Sequence, residues 1–136
     1  MLYAMLCYNN EDTVFSWSKE EDDTVMAKLA VVQAKLSAQG RLGPALRLMP
    51  TTAATTLRKD SEPPLVLDGP FAETKEQLLG FYVIDCASLE EAIETARDLG
   101  RANPGGAYEI RPIRLFLPGA DVSQREVARD EESIRA

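Results

Sequence analysis

Asp68-Gly69-Pro70-Phe71-Ala72-Glu73-Thr74-Lys75-Glu76 runs directly into the apolar segment Leu78 to Cys86. Nowhere else does the chain set turn chemistry, clustered charge and a core strand back to back. Gly69 supplies backbone freedom and Pro70 fixes its own φ, so the pair makes a defined bend. A residue before proline is also pushed away from helical geometry. Past the bend, Phe81 and Val83 alternate with Tyr82, Ile84 and Cys86 along an extended segment. Apolar residues on both sides of a strand predict burial on both sides.

Toward the N-terminus, Leu2 to Tyr8 is a second strand of this kind. Asn9 to Asp12 reads as a turn, and Phe15 and Trp17 as a short linker packing down on the next element. Ser18-Lys19-Glu20-Glu21 is a capping-box pattern. After it, Val25, Leu29, Val32 and Leu36 recur at helical spacing, widened by Met26 and Ala30. The acidic run Glu20 to Asp23 needs no metal to account for it, since a helix N-terminus favours negative charge. Gly40 ends the helix. Arg41 to Met49 is a strand that Gly43-Pro44 makes an edge or a bent one. Ala53 to Arg58 is a threonine-rich strand, and Leu65 to Leu67 a short apolar one that delivers the chain to Asp68.

Toward the C-terminus, Ser88-Leu89-Glu90-Glu91 repeats the capping box, with Leu89, Ala92, Ile93, Ala96 and Leu99 on one helix face. Asn103 to Gly106 turns the chain into a last strand expected over Tyr108 to Leu117. One domain is expected over residues 1–118. Residues 119–136 form a charged tail with too few large apolar residues to pack, expected as frayed helix or disorder.

The order reads β-α-β-β-β-α-β, an α+β, ferredoxin-like arrangement with two helices on one face of a mostly antiparallel sheet. Two helices cover only one face, yet two strands are apolar on both. A second copy of the chain, sheet against sheet, is the simplest cover for the other face. The expectation is a homodimeric α/β barrel with a small-molecule pocket between the sheets.

Composition narrows the chemistry. Among 136 residues there is no histidine, which removes the commonest general base near neutral pH and the commonest metal ligand. No Ser-His-Asp or Cys-His arrangement can form, and no cofactor or metal is expected. The net charge of −7 and pI of about 4.6 oppose a phosphate backbone, so nucleic acid is not an expected partner. No apolar run is long enough for a membrane span and no cleavable leader is evident, so the expected compartment is the cytoplasm. Cys7 and Cys86 each sit in an apolar run and read as buried reduced thiols; a bridge would need their strands side by side.

Polar groups on or beside the strands facing the expected pocket are the candidate ligand-binding residues: Tyr8, Asp68, Glu73, Tyr82 and Arg111. Asp68 is the one candidate catalytic residue, a general base or anchor if partly desolvated. The alternative is an aspartate that accepts hydrogen bonds from the amides of its own turn. Glu73 is either a site residue or half of a surface pair with Lys75. Arg111 is either a carboxylate binder or the partner of a nearby acidic residue. Phe71 is expected in the core.

The nine residues from Asp68 to Glu76 resemble the signature of the DGPF branch of the YCII-related proteins. The element order agrees with that resemblance over roughly residues 1–117. It implies the dimeric α+β barrel superfamily and a homodimer. It implies a fold more firmly than a reaction, and suggests as a second role a non-catalytic protein partner linked to transcription through alternative sigma factors. The lack of histidine, metal site, phosphate loop and reactive cysteine puts binding ahead of catalysis. Relatives outside the DGPF branch carry a His-Asp pair. Anchored on Gln39-Gly40-Arg41-Leu42, those positions fall near Leu29 and at Asn103, so the pair is replaced here.

Overall fold

The computed structural model describes residues 1–128, so the end of the expected tail, residues 129–136, lies outside the described residues. The elements are β1 (Leu2–Asn9), α1 (Glu11–Phe15), α2 (Lys19–Ala38), β2 (Leu42–Arg47), a 3-10 turn (Thr51–Ala53), β3 (Thr55–Arg58), β4 (Leu65–Asp68), β5 (Gln77–Asp85), α3 (Leu89–Ala102) and β6 (Ala107–Pro112). Four strands pair antiparallel in the order β2-β5-β1-β6, the ferredoxin-like arrangement. Between α2 and α3 stand four strands, one for each segment read there and one more than the order β-α-β-β-β-α-β counts. The extra pair, β3 and β4, makes a separate hairpin that joins no strand of the main sheet.

Both serines cap their helices as expected, but only Ser18 and Glu21 complete the reciprocal box, since the Glu91 carboxylate pairs with Arg41 instead. The Ser18 side chain accepts from the Glu21 amide at 3.0 Å, and Ser88 from the Glu91 amide at 3.1 Å. The two long helices lie on one sheet face. Leu29 and Leu36 of α2 and Ala92, Leu99 and Ala102 of α3 close over Tyr3, Met5, Tyr82 and Ile84. Met5, Ile84 and Leu99 are fully buried, which makes this layer the energetic centre of the fold.

Arg41 clips the layer together at one end. Its Nη2 donates to Thr95 Oγ1 at 2.7 Å, its Nε lies 2.9 Å from Glu91 Oε1, and the same nitrogen donates to the Asp85 carbonyl at 3.1 Å. One guanidinium thus ties the start of β2 to the end of β5 and to α3, using the planar fork that suits arginine to this role.

The opposite sheet face carries Leu2, Ala4, Leu6, Tyr8 and Phe81, all half-buried, with Leu46 exposed. The register sets Leu46, Phe81, Leu6 and Glu109 in one row across four strands. This is the open face that the pattern of β1 and β5 predicts. At Gly80, an added Cβ would stand 2.2 Å from the Leu46 carbonyl, so glycine is what lets β2 approach β5 this closely.

Several local expectations need correction. The segment after β1 is a helical turn rather than a loop, because Asn10 accepts from the Thr13 amide and caps α1. Val14, not Phe15, is the buried anchor of that turn. The last strand ends at Pro112, five residues short of Leu117. Proline offers no N–H, and after the Ile113 amide reaches the Leu2 carbonyl at 3.0 Å the chain leaves the sheet. A Cys7–Cys86 bridge is excluded, since Cys7 pairs with Gly80 while Cys86 hydrogen-bonds to Met1, at opposite ends of β1. Among the described residues, no helix is long and apolar enough to cross a membrane.

Candidate functional site

The bend at the motif is built as its two central residues require. Gly69 has φ of +101°, a conformation that favours glycine. Its N–H donates to the Ala54 carbonyl at 2.8 Å, and its own carbonyl accepts from the Thr56 hydroxyl at 2.8 Å. The bend is therefore closed by backbone and by threonine. Asp68, the expected closer, takes no part. Its side chain is exposed, and its carboxylate has no hydrogen-bond or ion-pair partner among the described residues. Phe71 is also out of the core, 74% exposed, with the Arg58 guanidinium 5.3 Å over its ring.

From Pro70 the motif folds back against three other elements and walls a cleft of about 280 Å³. Glu11, Thr51, Pro70, Ala72, Glu73, Thr74 and Gln77 line it. Glu11, the first residue of α1, is half-buried. Its carboxylate accepts from the Thr51 amide at 2.9 Å and from the Thr51 hydroxyl, and its own amide donates to Gln77 Oε1 at 2.9 Å. Gln77 in turn donates to the Thr74 carbonyl at 2.5 Å. The exits of β1 and β2 and the entry of β5 meet here, so the cleft sits at the rim of the sheet.

Its chemistry is that of an acceptor-rich site. Two carboxylates and two threonine hydroxyls suit a small ligand that donates hydrogen bonds or carries positive charge. Reading the sequence missed Glu11, because Asn9 to Asp12 looked like turn formers alone. The available signal was Asn10 followed by two acidic residues, an N-cap and first-turn pattern.

The other candidates are dispersed. Glu73 lies in the cleft wall, and it forms no ion pair with Lys75. Tyr8 is half-buried at the end of β1, on the open face. Arg111, exposed on that same side of β6, pairs with Glu109 two residues away, the second of its two expected roles. Tyr82 stands on the helix-covered side, where Gln33 Nε2 donates to its hydroxyl at 2.9 Å. Burial pushes the Tyr82 phenol above its ordinary range, against the Gln33 bond. Under the same layer, burial pushes the Cys7 thiol and the Tyr108 phenol up to about 12. These groups stay protonated at neutral pH and offer no nucleophile.

Residues 1–117 match the YCII-related domain, a span that takes in every strand and helix among the described residues and the motif itself. The chain belongs to the YCII-related family. It is similar to Uncharacterized protein R00369 of Rhizobium meliloti (strain 1021), with 62% identity over 120 residues, covering 88% of this chain and 97% of that protein. In this YCII-related chain Leu29 is buried in the core and Asn103 caps the end of α3. Neither side chain can act as an acid or a base.

Proposed function

We propose that this YCII-related protein works as a homodimer that binds a small polar molecule, with two open sheet faces opposed and the ligand held by the DGPF loop. The observation that carries the reading is the cleft that the motif walls from Pro70 onward, with Glu11 and Glu73 both on its wall. At about 280 Å³ it suits a metabolite-sized ligand. Its two carboxylates favour an amine, a guanidine or a polyol over an acid. Binding is preferred to turnover because the chain has no histidine and the Glu11 carboxylate is already held by Thr51. The pairing of two chains is supported by the apolar row of Leu46, Phe81 and Leu6 on the uncovered face.

The test is a thermal-shift screen of amines, guanidines, polyols and carboxylates, run on the wild type and on Glu73→Gln and Asp68→Asn. The expected result is stabilisation by a cationic or hydroxylated compound that Glu73→Gln loses. Equal shifts in Glu73→Gln, or stabilisation by carboxylates alone, would reject the cleft as the site.

A further inference from the structure

We propose that the ligand of the cleft is a dication: a linear molecule with an amine or guanidine at each end and methylenes between. The inference rests on the cleft as the binding site. It goes beyond that reading by fixing the number and sign of the ligand's charges and the character of what joins them.

The wall carries two carboxylates and no cation. Glu11 and Glu73 are acidic, and neither lysine nor arginine lines the cleft. Lys75 of the motif stands outside it and makes no ion pair with Glu73. A ligand with one positive charge leaves one of these carboxylates without a counter-charge. A ligand with two compensates both, in a chain whose net charge is already −7.

The hydrogen bonds of the wall point the same way. Each of its side-chain donor groups already has an acceptor. The Thr51 hydroxyl donates to Glu11, the Thr74 hydroxyl to the Glu76 carbonyl, and the Gln77 amide to the Thr74 carbonyl. Acceptors are in surplus, because a carboxylate offers about four lone-pair sites. Glu73 shares none of its sites with another group among the described residues. Glu11 uses one on each oxygen, for the Thr51 amide and hydroxyl. An acidic ligand would meet two like charges and, among side-chain donors, only the second N–H of Gln77. A polyol could donate, but its own oxygens would find the same shortage. An ammonium or guanidinium only donates, which matches what the wall leaves open.

The middle of the ligand follows from Pro70 and Ala72, which bring no polar side chain to the wall. They offer hydrocarbon to a methylene linker and nothing to a polar one. Phe71, between them in sequence, lines a separate groove with Leu57 and Arg58, so the bulky ring of the motif stays out of the cleft. The two ends are not alike. Glu11 is a fixed anchor, held by Thr51 and by the bond from its own amide to Gln77. Glu73 is exposed and swings to meet the second charge.

The experiment is calorimetric titration of the full chain with compounds of matched length that differ at their ends. Putrescine has two amines, butylamine one, butanediol two hydroxyls, and γ-aminobutyrate an amine and a carboxylate. Putrescine is expected to bind at least about fivefold more tightly than butylamine, with the other two weaker still. Glu73→Gln, an exposed change, is expected to bring putrescine down to the affinity of butylamine. Glu90→Gln removes the same charge in the first turn of α3, which starts where β5 ends, whereas the cleft lies where β5 begins. It is expected to move the putrescine constant by less than about twofold.

Putrescine and butylamine binding within about twofold of each other, both weakened by Glu73→Gln, would overturn the dication and leave the cleft as the site. Binding by neither amine would overturn the dication, whatever the thermal-shift screen finds for the cleft. Putrescine binding that Glu73→Gln leaves unchanged, or that Glu90→Gln weakens equally, would overturn the cleft itself.

Discussion

The main sheet and the β3–β4 arm are both antiparallel β-structure, and they meet water very differently. The sheet seals one face under α2 and α3, burying Met5 and Ile84 completely. The arm seals neither face, and its Val66 is 68% exposed. A strand is stabilised by what its side chains find across the layer, not by its ladder alone. One face of the sheet finds full cover in the same chain; its other face, Val83 apart, is only half covered there, and the arm is left exposed. The contrast divides the molecule into a part that folds by itself and a part whose apolar surface calls for another molecule.

The sharpest way to break the contrast is in the sealed layer. Met5→Ala should cost about 2–5 kcal/mol of unfolding free energy, the usual range for emptying a core site, as read from denaturant melts. A loss below about 1 kcal/mol would mean that this layer is not the core. On the open face the outcome should differ in kind. Leu6→Asp should leave a folded protein but shift light scattering from a pair to the mass of one 15.0 kDa chain. Unfolding instead would show that the open face stabilises the single chain.

The sealed side should also reveal itself by titration. Tyr108 and Cys7 have folded-state values raised to about 12, so the folded protein holds their protons after the unfolded chain has released them. Stability is then complete below the unfolded values and falls as pH rises through about 9 to 12. The melting temperature should drop across that window, and tyrosinate absorbance should lag behind that of the denatured chain. A flat melting temperature up to pH 12 would contradict the burial of both groups. The smallest effect belongs to the motif. Asp68→Asn should change the stability of the isolated chain by less than about 0.5 kcal/mol, because an exposed carboxylate without partners contributes little. A larger loss would restore its role in closing the turn.

The sealed part was the more legible in the sequence. Ser18 with Glu21, Ser88 and the alternation along β5 are local patterns, and local patterns survive into the fold. What was hidden depends on pairing between distant segments. Leu65–Asp68 looks like any short strand, and only its ladder with Thr55–Arg58 makes it an arm apart from the sheet. Phe71 looked like core because aromatic residues usually are, yet the Gly69 bend carries it outward beside Arg58. Glu11 was hidden for the same reason: its place in the cleft is set by Thr51, forty positions away.

The two outer strands of the sheet place a limit on how such chains can associate. β2 carries Pro44, next to a break in its register with β5, and β6 stops at Pro112. A neighbouring backbone seeking to extend the ladder at either rim meets a residue with no N–H, and on β2 a kinked strand as well. Growth by endless strand addition is thereby discouraged at both ends. The apolar face can still recruit a mate across the flat of the sheet, where stacking ends once the face is covered. The rims of the sheet are thus built to resist the fibre that an exposed apolar sheet would otherwise invite.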